Sequence, residues 1–277
     1  MEIRFATQQD IVPAKKLMQD AFHDSDRFIN LFFNYFLNNN LLLGFNDQEV
    51  VSMAFLLPAT FTINQNKISA TYLYACATAE NEQGKGWMGA LINRAWEESN
   101  RKGEVGLFLL PANKRLYEYY AKLGFHDFFY YDRQVFHFNK LSSSYQHGFK
   151  LNRINADQYA LLRIALLQSD NAIHYPTKHF RFIEEENEKP NTGFYLIQQE
   201  GHSGLSYIIQ GHNHIIVKEL IGHIDISSFS EYLFYRYEIP DITINMPGET
   251  HRSAMLRPVD GYSFLTRVKG YFCWGLE

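Results

Sequence analysis

The sequence predicts a mixed α/β fold of two tandem lobes, each a mixed central sheet flanked by helices, and three observations carry that prediction. At 277 residues the chain exceeds the usual size of one domain. Its first half alternates strand-like runs with amphipathic helical stretches: three consecutive β-rich runs are followed by a β-turn-α-β unit. Its second half repeats that order of elements, although identity between the halves is slight. The composition, 46% hydrophobic and 16% aromatic with 20% charged residues, supplies material for two packed cores and excludes an intrinsically disordered chain.

In the first half, residues 2–5 read as a short strand. Thr7, followed three residues later by Asp10, caps a helix that carries Ile11, Ala14, Leu17 and Met18 on one face. A second helix covers 27–37. Three β-rich runs follow at 41–45, 50–63 and 67–77, separated by the turn-like segments 46–48 and 64–66, and they read as a meander. A glycine-containing turn at 84–86 leads into a helix bearing Met88, Leu91, Ile92 and Ala95, and then into the apolar strand 105–110. Asn113 caps the next helix, Gly124 stops it, and the aromatic-rich stretch 125–138 reads as a strand pair.

The polar, short segment 141–148 is the expected boundary, which places a first domain at 1–140 and a second at 149–277. Beyond it the order recurs: a strand at 149–153, a helix at 156–168, a second helix near 176–187 and strands at 193–199, 204–210 and 214–221. A helix at 227–237 and a strand at 241–245 complete the parallel.

Charge and cysteine content narrow the classes of function. Twenty-six basic against thirty acidic side chains give a net charge of −4 with neither sign in a block, which argues against a nucleic-acid partner. The two cysteines, Cys76 and Cys273, sit in apolar runs rather than in a paired or metal-type spacing, as expected in a reducing cytoplasm. The N-terminus lacks the apolar core of a secretory signal, and no stretch is long enough to span a bilayer, so the expectation is a cytoplasmic protein without a membrane partner. His202, His212, His214 and His223 invite a metal reading. No carboxylate or cysteine completes a ligand set, so the expectation is that no metal is bound.

The stretch from Tyr72 to Met88 runs from a strand through Gln83-Gly84-Lys85-Gly86 into a helix. Main-chain N–H groups at a helix start are unsatisfied donors in a field of partial positive charge, so this segment suits a diphosphate. Gly84 and Gly86 permit close approach, Lys85 can add a charge-assisted contact, and Gln83 can donate one more hydrogen bond. Alone, the pattern fits a tight strand-to-helix connection equally well. Downstream, Asn113 is followed after six residues by Tyr120, and after three more by Gly124-Phe125.

Together, Gln83-x-x-Gly86 after a strand and the Asn113, Tyr120, Gly124-Phe125 spacing resemble the GNAT superfamily of N-acetyltransferases over the whole first half. That resemblance implies tandem GNAT-like lobes with the catalytic one first, acetyl-CoA as co-substrate and a primary amine on a small molecule or peptide as acceptor. It implies that the coenzyme diphosphate is bound by Gln83, Gly84, Lys85, Gly86, Trp87 and Met88, and its pantetheine arm by the backbone of Cys76, Ala77 and Thr78. Asn113 would also touch the coenzyme, and Tyr120 would be the general acid that protonates the departing thiolate. A backbone N–H within 76–78 would meet the oxyanion. Met88 departs from the superfamily's pattern, which has glycine or alanine there.

Other readings remain open at this level. Tyr117 and Tyr119 share the helix of Tyr120, and helical aromatics commonly serve packing. The two-lobed body also resembles the enhanced-intracellular-survival family of acetyltransferases, which implies that the terminal carboxylate of Glu277 reaches the active site; alternatively 271–277 is a last strand of the second lobe. Glu80, Glu82, Asp24, Asp26 and His23 are further candidates for the base. The second half carries no Gln-x-x-Gly turn, so that lobe is expected to shape the acceptor site without binding coenzyme. A non-catalytic acyl-CoA sensor is the alternative function; transfer from aminoacyl-tRNA is disfavoured by the intact glycine turn and the absence of a basic stripe.

Overall fold

The computed structural model describes residues 1–63, 65–139, 148–167, 171–263, 265, 269–272 and 274–276. Strand β1 (Glu2–Phe5) leads through a short 3-10 turn into α1 (Ile11–Phe22). Asp10 closes the expected capping box, its Oδ2 accepting from the Thr7 amide at 2.7 Å. Helix α2 (Asp26–Phe36) is capped by Ser25, whose hydroxyl accepts from the Phe28 amide. Then come β2 (Leu41–Asn46), β3 (Glu49–Ile63), β4 (Asn66–Thr78), α3 (Trp87–Arg101), β5 (Gly106–Leu109), α4 (Lys114–Lys122), β6 (His126–Asp127) and β7 (Phe129–His137).

The remainder is β8 (Phe149–Ile154), α5 (Ala156–Leu166), β9 (Ile173–His174), α6 (Thr177–Glu186), β10 (Gly193–Gln199), β11 (His202–Gln210), β12 (His214–Gly222), α7 (Ile226–Tyr237), β13 (Asp241–Arg252), β14 (Met255–Pro258) and β15 (Gly270–Tyr271). The fold is mixed α/β with two mixed sheets flanked by helices. The first sheet runs β1-β2-β3-β4-β5-β14-β6, and the second β15-β7-β13-β12-β11-β10-β8. Read from β8, the second sheet repeats the first: an antiparallel run ends in one parallel neighbour, β4 beside β5 in one and β12 beside β13 in the other.

The strands that follow diverge from the sequence-based expectation. Residues 125–138 were expected to pair with each other, yet β6 pairs with β14 and β7 with β13. The first sheet therefore includes β14 from the later half of the sequence, and the second includes β7 from the earlier half. The compact units accordingly comprise 1–61, 67–128 and 254–268 in one, and 62–66, 129–253 and 269–277 in the other. The chain changes unit after Phe128, because β7 is bonded along most of its length to β13. Of the polar segment 141–148, all but Gly148 lies outside the described residues.

Insertion of β14 has a local cause in the sequence. A Cβ at Gly106 would stand 2.3 Å from the Arg257 carbonyl oxygen, so only glycine admits the backbone of β14 so close to β5. Trp96 then donates its indole N–H to the Pro258 carbonyl (2.9 Å), and Arg257 donates to Asn93 (2.9 Å). The core of this unit gathers Leu91, Ile92 and Ala95 of α3 against Leu42, Leu73, Leu107, Tyr120, Phe125 and Met255. Each such aliphatic side chain contributes about 1.5–3 kcal/mol by leaving water. The helical spacing of Leu91, Ile92 and Ala95 thus decides which face of α3 turns inward, and so where its first turn points.

In the second unit, Ile208, Val217, Phe229, Leu233, Ile242 and Ile244 form the centre of the core. His179 of α6 is fully buried, and its ring stacks on Tyr175 at 4.7 Å. Burial, reinforced by the neighbouring Lys178 charge, pushes its imidazole down to about 3. The unfolded chain binds this proton near pH 6.5 and the folded chain does not. Stability should therefore fall as pH drops from about 6.5 toward 3, and be unaffected by this group above about 6.5. Urea midpoints measured between pH 7 and 5 should slope less in His179→Gln than in the native protein; equal slopes would exclude this histidine.

Candidate functional site

Helix α3 begins without a side-chain cap. Its N-cap is Gly86, with φ of +89°, and Gly84 precedes it at +78°. At Gly84 a Cβ would meet no atom within 4 Å, and at Gly86 only the Met1 Cε at 3.9 Å. The backbone therefore turns left-handed twice beside open space, and among the described residues no side chain caps the α3 amides. The turn is fixed from behind by Glu82, a buried carboxylate. Glu82 accepts from Lys85 Nζ (2.9 Å), from the Trp87 indole N–H (2.9 Å) and from Asn46 Nδ2 (3.4 Å). The hydrogen bond from Lys85, then that from Trp87, holds its carboxyl below the ordinary glutamate value.

The other wall comes from β4. Its ladder with β5 is confined to Thr71 with Leu107 and Tyr72 with Phe108, while β4 runs on to Thr78. Ala75 stands at φ of +49° in the part that runs on, a conformation that costs a non-glycine residue about 1–3 kcal/mol. Cys76 and Thr78 face the cleft; Ala77 is buried, and its carbonyl accepts from Ser52 Oγ at 2.9 Å. Gln83 donates to the Thr78 carbonyl at 3.2 Å, tying the end of β4 to the glycine turn.

Helix α4 closes the cleft. Asn113 is its N-cap, with Oδ1 accepting from the Leu116 amide at 3.1 Å, and Tyr120 lies about two turns further along the helix. Of the three tyrosines on this helix, Tyr117 is partly buried against the core, Tyr119 is half-exposed at the cleft, and Tyr120 is buried with only 7% of its surface exposed. Tyr120 and Cys76 are joined by a side-chain hydrogen bond. Burial pushes the Tyr120 phenol well above the usual tyrosine range, with Cys76 and Tyr119 adding to the effect. Burial likewise pushes the Cys76 thiol up to about 12, against the pull of the bond to Tyr120. Both groups are thus protonated at neutral pH. The resulting cleft has a volume of about 620 Å³.

Of the residues singled out from sequence, Cys76, Thr78, Gln83, Gly84, Gly86, Trp87, Met88, Asn113 and Tyr120 line this one cleft. Lys85 does not; its ammonium is engaged by Glu82. Trp87 contributes its backbone, because the indole points to Glu82 in the interior. Met88 fills the junction of cleft and core where its relatives' smaller residue was expected. Glu82 is a strut for the turn rather than a free carboxylate. Asp26 accepts from Gln19 at 2.8 Å, and none of Asp24, Asp26, Glu80 and His23 lines the cleft. Glu277 lies outside the described residues, as does Cys273. Sequence reasoning missed Arg115, whose only signal is its place in the first turn of the helix that Asn113 caps.

In the second unit the corresponding helix start is closed. Asp225 caps α7, its carboxylate accepting from the Ser228 amide at 2.8 Å, so a negative charge occupies the position that is open at α3. His214 bonds Thr243 at 2.9 Å, while His202 and His223 border a surface groove. Among the described residues no group of three or more histidine, cysteine or acidic side chains converges. Among them also, no helix is long and apolar enough to cross a membrane.

The first unit thus joins a left-handed glycine turn at a helix start, a strand that leaves its parallel neighbour after two residue pairs, and a buried tyrosine in one cleft. Residues 2–127 match the family model of the acetyltransferase (GNAT) domain. Across both units the fold is similar to that of a GCN5-related N-acetyltransferase from Anabaena variabilis, with 16% identity over 94% of this chain and 73% of that one and a TM-score of 0.75. It is similar as well to Eis1 from Mycobacterium abscessus (13% identity, 94% and 74% covered, TM-score 0.70) and to a GCN5-related N-acetyltransferase from Kribbella flavida (15%, 94% and 71%, 0.70). At such identities the likeness is one of fold. No curated protein matches the chain in sequence.

Proposed function

We propose that the chain is an N-acetyltransferase that moves the acetyl group of acetyl-CoA to a primary amine by direct attack, with its catalytic machinery in the first unit and an acceptor-shaping role for the second. The observation that carries this reading is the pair of left-handed glycines beside open space at the uncapped start of α3, facing the same cleft as Tyr120. A diphosphate in that space would take the amides of residues 84–88 without any cationic side chain, while the Gln83 amide donates to the Glu80 carbonyl at 3.3 Å and leaves that residue its side chain to offer. The pantetheine arm would run along the free stretch of β4, bonding the backbone of Cys76, Ala77 and Thr78, with Asn113 at its flank. The acyl carbon then reaches the level of Cys76 and Tyr120.

The chemistry follows from those positions. The amine nitrogen forms its bond to the thioester carbon, the carbonyl oxygen takes the charge and is met by a backbone N–H within residues 76–78 of β4, and the carbon–sulfur bond breaks as the tetrahedral adduct collapses. The sulfur leaves with the electron pair and takes the proton of Tyr120, which recovers one from the acylated nitrogen through solvent. Burial keeps Tyr120 protonated through neutral pH but weakens it as an acid, so its place in the cleft beside Cys76, rather than its acidity, is what supports this duty. The Asp225 carboxylate at the start of α7 argues that the second unit holds no coenzyme of its own.

Calorimetric titration with coenzyme A tests the reading. The native protein should bind, and Gly86→Val should bind at least about tenfold more weakly, because the side chain fills the open space and resists the left-handed backbone. Native protein that takes up no coenzyme A, or a variant that binds as well, would overturn the proposal. Thiol release from acetyl-CoA across a panel of primary amines tests the transfer itself.

A further inference from the structure

The cleft leaves one basic side chain uncommitted, and its chemistry deepens the proposed function on which it rests. Lys85, the cation nearest the glycine turn in sequence, is tied to Glu82 at 2.9 Å and does not line the cleft. Arg115 does line it, is exposed, and among the described residues has no ion-pair or hydrogen-bond partner. It stands on the first turn of α4, which supplies one side of the cleft, with Gly84, Gly86 and Met88 supplying another. Glu82, the cleft's one acidic side chain, is neutralised by Lys85. The formal charge offered to a ligand at this mouth is therefore that of the Arg115 guanidinium.

We propose that Arg115 is the residue that recognises the 3′-phosphate of the coenzyme and so lets the protein distinguish coenzyme A from its 3′-dephospho form. The diphosphate consumes the main-chain donors of the α3 turn, which leaves the phosphomonoester on the ribose to be met by a side chain. That group carries close to two negative charges at neutral pH, and a guanidinium offers it a paired, planar set of donors. An exposed arginine with no carboxylate to compete for it is suited to this contact, and its ordering on binding is the entropic cost that keeps the effect moderate.

The test is a two-by-two set of calorimetric titrations: native protein and Arg115→Ala, each with coenzyme A and with 3′-dephospho-coenzyme A. The native protein should bind coenzyme A about tenfold more tightly than the dephospho form, and the variant should bind the two with equal affinity, at the native protein's affinity for the dephospho form. The native preference should also shrink as salt rises from 0.05 to about 0.5 M. Binding of the dephospho form by the variant serves as its own control for folding. A native protein that binds both ligands equally, or a variant that weakens for both by the same factor, overturns the role of Arg115 and leaves the coenzyme reading standing. Failure of the native protein to bind either ligand overturns both.

Discussion

Replacing Tyr120 by Phe should lower kcat for acetyl transfer about 10²-fold or more while leaving the dissociation constant for coenzyme A within a factor of about two. The substitution keeps the ring, which packs on Phe125 at a centroid distance of 5.8 Å and belongs to the core under α3. It removes only the hydroxyl, whose partner is the Cys76 thiol rather than any group that binds phosphate. The ground state therefore loses little, and the deficit falls on the departing sulfur, which must leave as an unprotonated thiolate. The effect should be largest for poorly nucleophilic amines, where breakdown of the adduct governs the rate. The matching change Tyr119→Phe, on a half-exposed neighbour, should cost far less. Turnover of Tyr120→Phe within threefold of native would remove this tyrosine from the mechanism. Its raised phenol also predicts that loss of the acid form should not limit kcat anywhere below the usual tyrosine range.

Glu219→Ala should destabilise the second unit by about 3–5 kcal/mol. Glu219 is fully buried on β12, and four donors close on its carboxylate: Arg163 Nε (2.8 Å) and Tyr159 OH (2.7 Å) on Oε2, Arg163 Nη2 (3.0 Å) and Tyr271 OH (2.9 Å) on Oε1. The remaining Arg163 nitrogen, Nη1, donates to the Ile173 carbonyl at 2.7 Å. Burial alone would raise the carboxyl of Glu219, and the Arg163 charge with these hydrogen bonds more than reverses it. Truncation strands a guanidinium in an apolar interior along with two tyrosine hydroxyls. The network joins α5, β12, β15 and the residues before α6, so its loss should loosen the C-terminal strand first. Chemical denaturation should show an earlier transition for this unit. Replacing both charges together, with Arg163→Met and Glu219→Leu, should recover most of the loss. A single variant that loses less than about 1 kcal/mol would show that the pair contributes little beyond its own desolvation.

Much of the fold was legible because local rules and tertiary demands agree along most of the chain. The helix at Met88, Leu91, Ile92 and Ala95 was visible as a helical stripe, and that stripe is what packs in the first core. Thr7 with Asp10, Asn113 with Leu116 and the strand runs of the meander were likewise readable, since caps and period-2 alternation depend on residues close in sequence. Strand exchange was not readable. The alternation that marks β6, β7 and β14 as extended says nothing about neighbours, because the ladder is made by backbone groups that every residue carries. Gly106 held the one local sign, a glycine in an apolar strand where another backbone comes close.

The site divides in the same way. Gln83, Gly84, Gly86, Asn113 and Tyr120 were singled out because their spacing resembles the GNAT pattern, and the structure lines one cleft with them. The strut role of Glu82, the diversion of Lys85 to it, the burial of Tyr120 beside a half-exposed Tyr119, and the free guanidinium of Arg115 were not recoverable from spacing.

By itself the sequence determined the elements, their order, the repeated plan of two lobes and the position of an amide-rich turn before α3, since each follows from torsional preference and apolar periodicity over a few residues. Only the tertiary structure decided which strands pair across the halves, which charged side chains neutralise one another, and which tyrosine is driven from water. Those outcomes depend on distances between residues far apart in the chain, and the strength of a charge or a hydrogen bond is set by the dielectric and the competitors that folding puts around it.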